Sequence, residues 1–216
     1  MNLIISIIFA ISLSHATNID CDYKRSLEVW DMTNIYYCYL DSDPKIESLY
    51  SSYINSSIGY HKYEKTNNDV IGFESYKRTI KYFPHGLQKI FANLKLIIIW
   101  YGRIIGISKS NLKSFPELVY LSLYENDIKV LESGLFDYNP KLEVISLSNN
   151  KIYNIGEYVF NNLANLTYLG LEWNTCINYE NRYTDLDIKY VIKHTKDYCN
   201  YNNTSKSGNI GRVVKD

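Results

Sequence analysis

Three stretches of the sequence decide the fold: residues 118–128 read LVYLSLYENDI, residues 142–152 read LEVISLSNNKI and residues 166–176 read LTYLGLEWNTC. Each carries apolar residues, or a cysteine at the last place, at positions 1, 4, 6 and 11, and each begins 24 residues after the one before. Residues 94–104 fit the same spacing, and residues 70–80 form a degraded fifth copy. A fixed period of this length predicts a repeat protein whose units stack and bury a continuous core.

Each unit predicts a short strand followed by a turn. Positions 4 and 6 alternate with polar or variable residues, which is the period of two of a strand. Position 9 is Asn126, Asn150 and Asn174 in three units, and an asparagine there can bond backbone groups in the turn. The spacing matches the L-x-x-L-x-L-x-x-N-x-L pattern of leucine-rich repeats. The predicted fold class is therefore α/β repeat: a short right-handed solenoid with a parallel β-sheet on its concave face and irregular, 3-10 or short helical segments on its convex side.

The sequence outside the repeats predicts a leader and two caps. The nearly continuous apolar run Leu3–Leu13 precedes small residues that end at Ala16, as in a secretory signal peptide; the alternative is a buried strand or helix. Alternating apolar residues predict a hairpin at the start of the N-terminal cap, and residues 41–69 predict an irregular coil. The expected divisions are a signal peptide at 1–16, an N-terminal cap at 17–69, an array of about five repeats at 70–176, a C-terminal cap with one helix at 177–202, and a disordered tail at 203–216.

The composition excludes several classes of function. The chain has 216 residues, of which 46% are hydrophobic and 21% charged, a globular balance. Lysine and arginine number 23 together, as do aspartate and glutamate, so no net charge would draw the chain to nucleic acid. No later segment has 18 consecutive apolar residues, and we therefore expect no membrane span.

The four cysteines predict one disulfide in each cap. Cys21 and Cys38 precede the array, whereas Cys176 and Cys199 lie at its close. Five rungs at about 4.8 Å separate the two ends by roughly 20 Å, but a disulfide needs its Cα atoms within about 7 Å. The pairs Cys21–Cys38 and Cys176–Cys199 satisfy this limit. Free thiols or a zinc site are the alternative, which the absence of any C-x-x-C pair disfavours.

These features together resemble the extracellular leucine-rich repeat proteins. The chain is most similar to secreted arthropod, especially dipteran, members of the leucine-rich immune, connectin-like and Toll-ectodomain-like kinds. The resemblance is carried by Val70-Ile71-Gly72-Phe73, Phe83-Pro84-His85-Gly86-Leu87, Gly134-Leu135-Phe136 and Asn174-Thr175-Cys176. It implies a secreted, extracellular protein with a role in immune recognition or adhesion.

The outward positions of the strands form the candidate binding face. Positions 3, 5, 7 and 8 are expected to point off the concave sheet, and seven of them are aromatic: Tyr76, Trp100, Tyr101, Tyr120, Tyr124, Tyr168 and Trp173. Tyrosine and tryptophan are enriched in binding hot spots, so this set predicts a ligand-binding face for an extracellular protein or a surface glycan. The alternative is compositional, because the chain has 22 tyrosines, and Ile98 and Trp100 could lie beneath the hairpin or a loop.

No sequence motif indicates catalysis. The chain lacks H-E-x-x-H, G-x-S-x-G, P-loop and G-x-G-x-x-G patterns. We therefore predict a protein-binding module that is not an enzyme and uses no metal or cofactor. The alternative function is that of an extracellular structural protein that acts by self-association, for example as a homodimer.

Four asparagines begin glycosylation sequons, which suits a secreted glycoprotein. They are Asn55, Asn165, Asn202 and Asn203.

Overall fold

A computed structural model of the chain describes residues 16–29, 32–177, 180–181 and 185–199. The chain divides into two compact units, residues 1–104 and residues 105–216. Three sequence predictions lie outside the described residues: the apolar part of the signal peptide, the sequons at Asn202 and Asn203, and the disordered tail.

The first unit begins with the antiparallel hairpin that the sequence predicted. Strand β1 (Thr17–Val29) pairs with strand β2 (Met32–Leu40). The disulfide Cys21–Cys38 joins the two strands, with Cα atoms 5.1 Å apart, and both cysteines are buried. The disulfide therefore joins the two strands on the face of the hairpin that packs against the core.

The hairpin is part of the sheet of the first unit. Strand β3 (Ile54–Ile58) pairs in parallel with β1, and β4 (Gly72–Tyr76) pairs in parallel with β2. Strand β5 (Leu96–Trp100) lies parallel to β4, so that the strand order in this unit is β5-β4-β2-β1-β3. A 3-10 helix (Asn67–Asp69) and the short helix α1 (Leu87–Ile90) connect the strands.

The prediction of an irregular coil at 41–69 was wrong in two places. Strand β3 and the 3-10 helix both lie inside this range. The middle of β3 is Asn55-Ser56-Ser57, which lacks the apolar alternation by which a strand is recognised. The strand forms because its backbone pairs with β1, for example at Ile19 opposite Ser57.

The second unit contains the later repeats. Its strands, in chain order, are β6 (Tyr120–Ser122), β7 (Val130–Leu131), β8 (Val144–Ser146), β9 (Asn154–Ile155), β10 (Tyr168–Gly170) and β11 (Glu180–Asn181). Strands β6, β8 and β10 are parallel neighbours, and β11 is antiparallel to β10. Strands β7 and β9 form a small separate sheet on the return segments. The helices are α2 (Lys109–Leu112) and α3 (Asp185–Tyr198).

The core consists of the residues that define the repeat. Positions 1, 4, 6 and 11 of two successive units are fully buried: Leu118, Leu121, Leu123, Ile128, Leu142, Ile145, Leu147 and Ile152. Residues 24 apart lie side by side on neighbouring strands, as Ile145 does with Leu121 on one side and Leu169 on the other. The parallel strands, the buried repeat positions and the two disulfides confirm the predicted class, an α/β leucine-rich repeat solenoid with disulfide-linked caps.

Asparagine side chains bond one coil to the next in the second unit, as the sequence predicted. The Asn150 Nδ2 donates to the carbonyl oxygens of Leu123 and Leu147, at 2.9 and 3.0 Å, and its Oδ1 accepts from the Ile128 amide at 3.0 Å. Asn174 repeats the arrangement one unit later. In the repeat that begins at Val70, Arg78 occupies this position. Its guanidinium donates to the carbonyl oxygens of Leu40 and Asp41.

The turn after each repeat strand contains the same backbone conformation, which the sequence did not reveal. Position 8 has a positive φ, between 53° and 57°, in all five repeats. None of these residues is glycine: they are Lys77, Tyr101, Glu125, Asn149 and Trp173. A left-handed residue turns the chain sharply out of the strand. The turn therefore fixes the position from which the aromatic side chains at position 8 project.

The C-terminal cap contains the one predicted helix, but its buried face differs from the expected one. We expected a helix ending near His194, with Leu186, Tyr190 and Ile192 facing the last rung. Helix α3 runs on to Tyr198, and its buried positions are Ile188, Val191 and Thr195, followed by Cys199. These positions recur every three to four residues, so they share the inward face with Cys199, whose disulfide to Cys176 lies on that side. Tyr190 is consequently exposed.

Candidate functional site

The predicted aromatic residues of the first unit lie together at the end of strands β4 and β5. Tyr76 lies beside Trp100 in the parallel register, so both project from the same face of the sheet. The rings of Tyr76 and Tyr101 meet edge to face, with centroids 5.4 Å apart. The Lys77 Nζ lies 5.0 Å from the Tyr76 centroid and 5.4 Å from that of Tyr101. About a third of each tyrosine is exposed, so the cluster can contact a partner.

Two outward positions of β5 next to the predicted aromatic residues are buried and cannot contact a partner. Leu96 and Ile98 are at most 2% exposed. A side chain on Gly72 would have its Cβ 2.9 Å from the Tyr37 Cβ, 3.2 Å from the Ile35 Cγ2 and 3.3 Å from a Leu96 methyl group. Ile35 and Tyr37 of β2 and Leu96 of β5 thus crowd the space over this glycine on the outward face, and all three are buried.

The hairpin adds charged and aromatic residues that sequence reasoning missed. Tyr39 of β2 lies beside Glu74 of β4, and Asp22 of β1 lies opposite Tyr39, so all three share the outward face. The Lys24 Nζ lies 3.9 Å from the Tyr39 centroid and 3.3 Å from an Asp22 carboxylate oxygen. The alternation of Ile35, Tyr37 and Tyr39 in the sequence is the signal that could have identified this row.

Burial governs the titration of this part of the face. The pKa of the Glu74 carboxyl is raised, because burial outweighs the opposing charge of Lys24. Burial, together with the negative charges of Glu74 and Asp22, raises the pKa of Tyr37 to about 12. Both groups therefore lie in a partly dehydrated part of the sheet surface, where an added charge is more costly than in water.

The aromatic residues of the second unit frame the middle of its sheet. Tyr120 and Tyr168 flank Val144 in the register, at position 3 of their units. Tyr120 is half-buried, and desolvation raises the pKa of its phenol. The Tyr168 ring reaches across Gly170, because a Cβ there would lie 2.8 Å from the Tyr168 hydroxyl and 2.8 Å from the Ser148 Oγ. Glycine at this position gives the tyrosine ring room to lie over the sheet.

The largest exposed side chain of the predicted face is Trp173. It occupies the left-handed position 8 and is 64% exposed. Tyr124, at position 7 of an earlier repeat, is half-buried, whereas its neighbour Leu123 is fully buried. These two adjacent residues, which directly follow β6, thus continue the alternation between core and surface that the strand begins.

The described residues hold no group of three or more histidine, cysteine, aspartate or glutamate side chains that could ligate a metal ion. The same part of the chain has no helix of the length and hydrophobicity required to cross a bilayer. The described sequons are accessible, because both Asn55 and Asn165 have exposed side chains.

Comparison with known proteins identifies the repeats. The sequence model described as "Leucine rich repeat" matches residues 92–151 and residues 116–175. The "Leucine-rich repeat-containing G-protein coupled receptor 4" of Xenopus tropicalis is 33% identical over 69 residues, which are 32% of this chain and 7% of the receptor. The chain thus spans a small part of this relative. Repeats of this family typically serve to bind proteins and not to catalyse reactions.

Proposed function

We propose that this chain, whose residues 92–175 are leucine-rich repeats, is a secreted module that binds another extracellular protein through its aromatic strand positions. The observation that carries the proposal is the division between core and surface positions within each repeat. Repeat positions such as Leu123 are buried, whereas adjacent positions present partly exposed rings, as Tyr76, Tyr124 and Trp173 do. Rigid aromatic side chains offer large contact areas at low entropic cost, which suits protein recognition.

Three further observations support secretion. All four cysteines are paired, and disulfides persist in oxidising compartments. Residues 1–16 have the pattern of a signal peptide, and two exposed asparagines begin glycosylation sequons. The resemblance to arthropod extracellular proteins makes immune recognition or adhesion the biological role that we propose. Similarity to a segment of a leucine-rich-repeat-containing receptor is compatible with such recognition.

The binding proposal is tested by capture with a matched pair of variants. The mature chain is immobilised, exposed to extracellular fluid from its source, crosslinked and analysed by mass spectrometry. We expect one protein to be retained by the wild type and lost with Trp173→Ala. The control is Tyr153→Ala, which removes an exposed ring that does not belong to the proposed face.

Equal retention by both variants would show that the aromatic face does not bind the captured protein. Light scattering after size-exclusion chromatography addresses the alternative of self-association. The recognition module is expected to be monomeric at micromolar concentration, whereas a structural protein that acts by self-association would form stable dimers or larger assemblies.

A further inference from the structure

Strand β3 forms the edge of the sheet in the first unit. It pairs with β1 on one side, and it is the last strand in the order β5-β4-β2-β1-β3. On its other side, the Ile54 amide donates to the carbonyl oxygen of His85 at 2.7 Å, and Tyr53 forms a bridge with the same residue. Beyond this bridge, no backbone group of the described residues pairs with the outer side of Asn55–Ile58. The second half of the strand is therefore an open edge.

Strand β3 itself lacks the side chains that usually prevent one sheet from pairing with another. Strand β3 contains no lysine, no other charged residue and no proline. Ile58, at its end, is more than half exposed. The segments on either side of the strand also expose large apolar side chains, namely Leu49, Tyr50, Tyr60 and Tyr63. An uncharged open strand favours pairing with another chain, although charged side chains such as Lys62 and Lys89 lie in the segments beside it.

Asn55 lies at the beginning of this open stretch, has an exposed side chain and begins the sequon Asn55-Ser56-Ser57. We propose that Asn55 carries an N-linked glycan that covers the open edge of β3 and keeps the protein monomeric. The proposal rests on the secretion proposed above. It assigns a role to this sequon that the sequon at Asn165 does not share, because Asn165 lies outside the described strands.

The modification requires transfer from a lipid-diphosphate-linked oligosaccharide in the secretory pathway. The Asn55 Nδ2 forms a bond with C1 of the first sugar, the bond from C1 to the diphosphate oxygen breaks, and the lipid diphosphate and a proton are released. In the folded chain, the hydroxyl of Tyr23 donates to the Ser57 Oγ at 2.9 Å. The sequon hydroxyl is thus engaged by a buried tyrosine, and the sugar is transferred before β3 pairs with β1.

A bulky, hydrated glycan next to an unpaired strand opposes the approach of a second strand. The test compares four secreted proteins: the wild type, Asn55→Gln, Asn165→Gln and Asn55→Lys. Peptide mass spectrometry measures site occupancy, and light scattering measures the molar mass at micromolar concentration. Melting curves and disulfide mapping establish that each variant is folded.

The wild type is expected to carry a glycan on Asn55 and to be monomeric. Asn55→Gln is expected to have a molar mass at least twofold higher, since the amide side chain leaves the edge uncharged and uncovered. Asn55→Lys lacks the glycan but supplies a charge, and it is expected to remain monomeric, as is Asn165→Gln.

A monomeric, folded Asn55→Gln would overturn the proposal, and so would an unmodified Asn55 in secreted material in which Asn165 is glycosylated. Both results leave the proposed secretion and protein binding intact. Absence of the protein from the medium and of glycan from both sites would instead contradict secretion, and the proposed modification with it.

Discussion

Replacing Asn150 by alanine tests the asparagine ladder that joins successive coils of the second unit. The substitution removes three hydrogen bonds of 2.9–3.0 Å and leaves the Ile128 amide and the carbonyl oxygens of Leu123 and Leu147 without this partner. An unsatisfied buried polar group costs roughly 1–3 kcal/mol. The Leu147 carbonyl oxygen still accepts from the Asn174 Nδ2, at 2.9 Å, so two groups are left unsatisfied. At the lower limit for each, the free energy of unfolding should fall by about 2 kcal/mol. A chain of this size loses roughly 2–4 °C of melting temperature per kcal/mol, so we expect a decrease of about 4–8 °C.

The assay is thermal unfolding monitored by circular dichroism, with the purified wild type and two variants measured in parallel. The matched control is Asn161→Ala, which removes an exposed asparagine from the turn that precedes β10. Exposed substitutions of this kind usually change stability by less than about 0.5 kcal/mol. If Asn150→Ala melts within 2 °C of the control, taken here as roughly the limit for a surface change, the ladder does not stabilise the repeats and the reasoning is refuted.

Three other substitutions test the first unit. Gly59→Ala is expected to lower melting temperature and secreted yield, because Gly59 has a φ of 132° and a Cβ there would overlap the carbonyl oxygen of Cys21; unchanged melting would contradict this close approach. Cys21→Ser removes the disulfide to Cys38, whose sequence separation is 17 residues. The loss of this constraint on the unfolded chain, about 3 kcal/mol, should cause aggregation or loss of secretion. Normal secretion of a monomer would count against that expectation. The wild type should lose stability between about pH 10 and 12, because Tyr37 ionises at a lower pH in the unfolded chain than in the folded one. Tyr37→Phe should remove this part of the loss. The check is denaturant unfolding of both proteins at the two pH limits.

The repeat array could be predicted from the sequence because the 24-residue period fixes the core. Leu121, Ile145 and Leu169 share a register because each stands at position 4 of its unit. The disulfide pairs followed from a distance argument, since the two ends of a stacked array are too far apart to be bridged. In both cases a regular spacing in the sequence corresponds directly to a regular spacing in the structure.

Features that depend on contacts between different segments were missed. Strand β3 has a polar middle and forms because β1 offers it a pairing partner. The burial of Leu96 could not be derived from its outward position, because it depends on side chains of β2, such as Ile35 and Tyr37, that crowd the same side of Gly72. The left-handed turn at position 8 was missed because the residues there include lysine, tyrosine, glutamate and tryptophan, which carry no local signal for a positive φ.

The proposed binding face is most directly tested on two adjacent residues, Leu123 and Tyr124. The measurement compares the melting temperature and the affinity for the captured partner in Leu123→Ala and Tyr124→Ala. Leu123 is fully buried, so its truncation should cost roughly 2–5 kcal/mol of stability, whereas the half-buried Tyr124 is expected to be dispensable for folding. Tyr124→Ala should weaken binding by about 2 kcal/mol, roughly thirtyfold. If Tyr124→Ala melts as early as Leu123→Ala and binds normally once folded, the aromatic face is part of the core and the account is wrong.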